Sequence, residues 1–197
     1  PLTQTWRGKG GNVYWDRTGL GREVVYAKLA YYTIDTRSLT YSADSVMFYH
    51  GGYFKKFLQG RLEDKAMVDV NPKNATFPKF SMYRGSQVYI NLFKNIEFFG
   101  GFSLQGARVL GTPASDGYAR IEIKHNSKPF MSLKSTEFAI MPDKFVSANA
   151  SVLIFIENDS IFHPAIRVQY NLANDELMMS RGEEGLGQSP FFNSYHR

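Results

Sequence analysis

A chain of 197 residues with 16 Phe, 12 Tyr, 2 Trp and no Cys is long enough for one domain or two small ones around a substantial core. Its content of 21% charged and 43% hydrophobic residues excludes a disordered polyelectrolyte, and the missing cysteine excludes disulfide frameworks, thiolate metal sites and cysteine nucleophiles. The net charge of +5 is uneven, with 14 Lys/Arg against 8 Asp/Glu over 1–99 and 9 against 10 over 100–197, yet the longest basic run is Lys55-Lys56, so no arm tracks a phosphate backbone and no nucleic-acid partner is expected.

From the N-terminus, Glu23 to Thr33 is rich in β-branched and aromatic residues, and Leu39, Tyr41 and Ala43 alternate with polar neighbours up to Val46-Met47-Phe48-Tyr49. With Asp35-Thr36-Arg37-Ser38 as turn, residues 23–49 are predicted to form a hairpin. Further strands are predicted at 57–62, 66–70, 87–92, 96–104, 118–125, 129–133, 136–141, 150–157, 165–171 and 176–181 from period-two spacing. Gly51-Gly52, Asn71-Pro72, Phe77-Pro78, Gly100-Gly101, Thr112 to Gly117, Ser127-Lys128-Pro129 and Asn158-Asp159 punctuate them,. Only Leu58 to Met67 offers a helix, and Gly60 sits inside it. The near-continuous apolar run Ala150 to Ile156 predicts a central strand covered on both faces, whereas Arg120-Ile121-Glu122-Ile123-Lys124-His125 alternates and predicts one wet face.

The fold class is therefore all-β: layered antiparallel sheets as a β-sandwich or jelly roll, or a stacked, solenoid-like β-repeat. A faint repeat favours stacking: Tyr49-His50-Gly51-Gly52-Tyr53 before Leu58-Gln59-Gly60 echoes Phe98-Phe99-Gly100-Gly101-Phe102 before Leu104-Gln105-Gly106. Residues 1–197 are expected to be a single β-rich module with a sub-boundary near 71–86. No 18-residue apolar window occurs, so no transmembrane helix is expected. Pro1-Leu2-Thr3-Gln4 lacks the pattern of a signal peptide, and the chain is expected to be a piece of a longer protein.

Chemical signatures are sparse. Four histidines (His50, His125, His163, His196) lie too far apart for a local zinc motif. His163-Pro164 is the place to look, with Glu157 or Asp159 able to orient the imidazole. A glycosidase needs two carboxylates about 5–10 Å apart; Glu122, Glu157 and Asp159 are the candidates, although Asn158-Asp159-Ser160 reads as a turn. No Gly-x-Ser-x-Gly occurs, and Gly182 to Gly187 has neither the spacing nor the frame of a nucleotide loop. Trp6, Trp15 and Tyr53 are the candidate platforms on which a sugar would stack. No catalytic residue, cofactor or metal is assigned.

Three segments carry a resemblance: Phe98 to Arg108, Asp159-Ser160-Ile161-Phe162-His163-Pro164, and Gly185 to His196, with Ala43-Asp44-Ser45-Val46 in addition. They resemble, in order, segments of large uncharacterised β-rich secreted or cell-envelope proteins of Bacteroidota. The resemblance implies a β-rich parent and a periplasmic, cell-surface or extracellular location, and it carries over no activity. The expected function is a non-enzymatic structural or interaction module whose partners are other domains or proteins of an envelope assembly; the alternative is a glycan-binding or glycan-cleaving β-sandwich.

Overall fold

The computed structural model describes residues 4–66, 71–180 and 191–193. Strands dominate, every strand pairing with a resolved register is antiparallel, and the only helical segments among the described residues are two 3-10 turns, Asp16–Thr18 and Pro72–Asn74. The all-β class is thus what the sequence folds into. The chain divides into two compact units, one of Pro1–Arg84 with Phe102–Val109, the other of Gly85–Gly101 with Leu110–Arg197.

The first unit holds β1 (Thr5–Lys9), β2 (Asn12–Tyr14), β3 (Val25–Leu29), β4 (Tyr31–Asp35), β5 (Thr40–His50), β6 (Leu58–Lys65) and β7 (Lys79–Met82). The strand β5 pairs with β4 through Thr40–Ser42 and with β3 through Val46–His50. A bulge at Asp44 and Ser45 separates the two stretches; such an extra residue bends a strand and lets it serve two ladders. The predicted hairpin over 23–49 is accordingly three strands, because the chain bends at Ala30, whose carbonyl accepts from Gly10 N–H at 2.9 Å. Clean alternation makes β6 a strand and not a helix: Leu58, Gly60, Leu62 and Asp64 point inward while Gln59, Arg61, Glu63 and Lys65 face out,. The core is aromatic, with Trp15, Phe48, Phe80 and Phe102 all at most 1% exposed.

The second unit contains β8 (Val88–Phe93), β9 (Ile96–Gln105, to Gly101), β10 (Arg108–Thr112, from Leu110), β11 (Ala119–His125), β12 (Lys128–Ser135), β13 (Phe138–Ile140), β14 (Lys144–Ile156), β15 (Asp159–Asn171), β16 (Glu176–Ser180) and β17 (Phe192–Asn193). One ladder runs β8-β9-β11-β12-β14-β15-β17 and another joins β13, β14, β15 and β16. The strands β14 and β15 belong to both, changing partners where their mutual register slips between Ser147 and Val152. The inward rings of the two ladders meet edge-on, Phe98 against Phe138 at 6.4 Å, so this unit is layered. Ser135 fastens the crossover, with its hydroxyl 2.8 Å from both Ser147 Oγ and the Asn149 carbonyl.

Several predicted boundaries need correction. Gly100-Gly101 lies inside β9 and is no turn: a Cβ on Gly100 would come within 2.6 Å of the Thr112 carbonyl, and one on Gly101 within 3.1 Å of the Pro113 carbonyl, so the pair permits a close backbone approach. The repeat therefore has no structural counterpart, since Gly51-Gly52 is a turn. Pro164 sits within β15, at the irregular stretch where the ladder skips from His163 to Ile166, the place a strand tolerates proline. The run Ala150–Ile156 is paired on both edges but not covered on both faces, because Phe155 and Ile156 are 38% and 47% exposed. β1, β2, β7, β10 and β17 went unpredicted, and of the predicted 66–70 strand residues 67–70 lie outside the described residues, as does the Gly182–Gly187 loop.

Candidate functional site

Three of the residues singled out from the sequence lie in the first unit. Trp15 is fully buried, its ring edge-on to Phe48 at 5.3 Å and its Nε1–H donated to the Pro78 carbonyl at 3.2 Å. With no exposed face it is a core residue and not a stacking platform, a correction that follows from its hydrogen bond being satisfied inside. Tyr53 is half-buried against His50 at 4.8 Å and Phe102 at 6.0 Å, and burial holds its phenol above the usual range. Trp6 is 69% exposed on β1.

The position of Trp6 is informative. It lies opposite Ile34, Ile34 opposite Tyr41, and Tyr41 opposite Asp64. Residues directly opposite in antiparallel strands share a face, and Asp64 is on the core face of β6 with Leu62. The inner face of this unit therefore runs out to its margin, with exposure rising from 4% at Asp64 to 36% at Ile34 and 69% at Trp6. Inward along that row, the Asp64 carboxylate accepts from Tyr41 Oη and Lys65 N–H, both at 2.8 Å, and from the Arg17 guanidinium.

The other four candidates lie in the second unit and do not converge. Glu122 projects from β11 and pairs with Arg120 at 3.3 Å. Glu157 occupies the β14–β15 turn with φ +48°, and Asp159 opens β15, where one carboxylate oxygen accepts from Ser160 N–H at 2.6 Å. The row through Glu122 continues Ser132, Leu153, Phe162. Asp159 is thus three strands across and three residues along from Glu122, roughly 17 Å away, too far for a glycosidase pair. His163 is 4% exposed, its Nδ1 accepting from Ala165 N–H at 3.2 Å and its ring 4.7 Å from Phe191, so it is an interior strand residue. Among the described residues no three His, Asp or Glu side chains group to hold a metal ion, and no helix is long and apolar enough to cross a membrane.

What the second unit does assemble is a polar and aromatic outer face on β8, β9, β11 and β12. Glu97 stands opposite Glu122, a pairing that repels unless it is offset. Lys124 offsets it by donating to Glu97 Oε1 at 2.6 Å, and this bond, with a second from the Tyr89 hydroxyl, holds the Glu97 carboxyl below the usual range. Tyr89 leans on Phe99 at 5.0 Å, and the Arg120 guanidinium covers Phe99 at 4.6 Å. Beside them the loop after β10 rises to wall a cleft of about 390 Å³, lined by Gln87, Phe99, Asp116, Tyr118, Arg120 and Lys134. Of this face only Glu122 was a candidate from the sequence; the alternation over Arg120–His125 was the available signal for Arg120 and Lys124. Beyond it, Phe155, Phe162 and Phe192 leave an apolar stretch exposed on β14, β15 and β17.

Fold and surface together define an antiparallel all-β protein of two compact units with exposed aromatic margins. No protein-family model matches the chain, and neither a curated protein nor a solved structure is similar to it.

Proposed function

We propose that this chain is a non-enzymatic interaction module of a cell-envelope or secreted assembly, which joins other β domains by continuing its sheet and its core face. One observation carries the reading: the row Asp64, Tyr41, Ile34, Trp6 passes from buried to exposed along a single face. Single exposed apolar side chains are ordinary, but an inner sheet face left open at an edge is a surface for a partner. The strand β1 pairs with β4 along Thr5–Lys9, and a strand at a sheet margin offers its N–H and C=O groups as a template for one more strand. The envelope or secreted setting is supported by the sequence resemblance.

The two tryptophans make the test direct, since Trp6 is exposed and Trp15 is not. In the isolated chain, iodide quenches the Trp6 component and spares Trp15. A photo-crosslinking residue placed at Trp6 or Ile34 in cells producing the protein is expected to form an adduct with another β domain, and the assembled protein is expected to lose the quenchable component. No adduct at either position, with Trp6 equally quenchable in the cell extract, overturns the reading.

A further inference from the structure

We propose that the cleft beside β9 and β11 binds an acidic saccharide, with a uronate carboxylate held by Arg120 and Lys134 and a pyranose face resting on Tyr118. The site is separate from the β1 margin, and its residues all belong to the second unit.

The wall is a built feature. Gly100 and Gly101 allow Thr112 and Pro113 to approach the sheet, and Gly85 N–H donates to the Ala114 carbonyl to tie the loop down. Tyr118, at the end of that loop, is 66% exposed. It faces a sheet whose own aromatic, Phe99, is already covered by Arg120.

The donors are arranged for an acceptor-rich ligand. Arg120 meets Glu122 through Nε, and its Nη nitrogens have no hydrogen-bond acceptor among the described residues. The Lys134 side chain is exposed and, like those of Gln87 and Tyr118, makes no side-chain hydrogen bond or ion pair among the described residues. Guanidinium and ammonium groups side by side favour an anion, and an exposed phenol ring favours the C–H face of a ring that also needs hydrogen bonds at its rim. A pyranose carrying a carboxylate satisfies both.

A polyphosphate satisfies neither as well. Along the same face Glu97, Glu122 and Asp116 alternate with Arg120, Lys124 and Lys134, which gives no continuous positive track. The cleft volume is that of a small-ligand site. A second cleft of about 520 Å³ lies further along the same strands, lined by Asn91, Asn95, Glu97 and Lys124 among others, so an oligosaccharide has room to extend.

The test is calorimetric titration of the full chain with a panel of oligo-uronates (galacturonate, glucuronate and mannuronate), a neutral maltohexaose and inorganic phosphate. At least one uronate is expected to bind saturably, more weakly as salt is raised, with the neutral sugar at least about tenfold weaker. Lys134→Ala and Tyr118→Ala are each expected to weaken uronate binding about tenfold while leaving thermal unfolding unchanged, since both side chains are exposed. Absence of saturable uronate binding overturns the proposal. So does equal affinity for the neutral sugar or for phosphate, or binding that neither substitution affects.

Discussion

Phe48 and Phe80 stack at 4.1 Å with their planes 9° apart, although β6 runs between the strands that carry them. Gly60 makes this possible: a Cβ there would lie 2.7 Å from the Phe80 ring and closer still to the Ser81 carbonyl. Backbone cannot yield as a flexible side chain can, so Gly60→Ala is expected to destabilise the protein by about 1–3 kcal/mol through overpacking. Gln59→Ala on the outer face is expected to stay within about 0.5 kcal/mol. Urea denaturation of the two variants checks the contrast.

Asp64 is the one buried carboxylate in the first unit's core row, and three donors converge on it. Asp64→Ala takes the acceptor from the Tyr41 hydroxyl and from one Arg17 nitrogen, while Arg17 keeps the Lys65 carbonyl and some solvent, at a cost of about 1–3 kcal/mol. Burial first, and the hydrogen bond to Asp64 second, hold the Tyr41 phenol far above its ordinary range. In Asp64→Asn burial is unchanged and the carboxylate's charge is removed, leaving at most a hydrogen bond to a neutral amide oxygen,. An alkaline ultraviolet titration should therefore show the Tyr41 ionisation moving down without reaching that of a free tyrosine.

His50 is 8% exposed, and burial pushes its imidazole down to about 4. In the unfolded chain it titrates near 6.5. Between those values the unfolded state binds the extra proton and the folded state does not, so stability rises with pH across this window and is lost as pH falls through it. The full effect is on the order of 3 kcal/mol. Denaturation midpoints at pH 7 and pH 4, compared between the native chain and His50→Gln, isolate it: the variant should lose less stability on acidification.

Ser135 is 2% exposed and accepts from Glu137 N–H at 3.2 Å besides contacting Ser147 and the Asn149 carbonyl. Ser135→Ala takes the hydrogen-bond partner from the buried Ser147 hydroxyl and should cost about 1–3 kcal/mol. Hydrogen exchange should show the loss concentrated in β12 and the first half of β14, the stretch where partners change.

The all-β class was legible because period two is a local property, visible in β6, β11 and β12 without knowing their neighbours. The failures all involved a second strand. Gly100-Gly101 carries the composition of a turn, and only the approach of Thr112 makes it a strand interior. Pro164 reads as a loop until the slip in the β14–β15 register is known. Trp15 and Trp6 are chemically alike, and the Pro78 carbonyl that decides between core and surface is 63 residues away. For the cleft, the wet face of Arg120, Glu122 and Lys124 was readable. That Phe99, Gln87 and Lys134 would join it depends on strand order, which no local pattern encodes.

The glycine pair in β9 has one more consequence. The width of the cleft is governed by two side chains that do not exist, and one of the two glycines, Gly100, is itself part of the lining. A Cβ at Gly100 would collide with the Thr112 carbonyl and push the wall back, whereas one at Gly101 asks the Pro113 carbonyl to give by only a few tenths of an ångström, in both cases with every side chain of the lining intact. Selectivity at this surface can thus drift through positions that have no side chain of their own to offer a ligand.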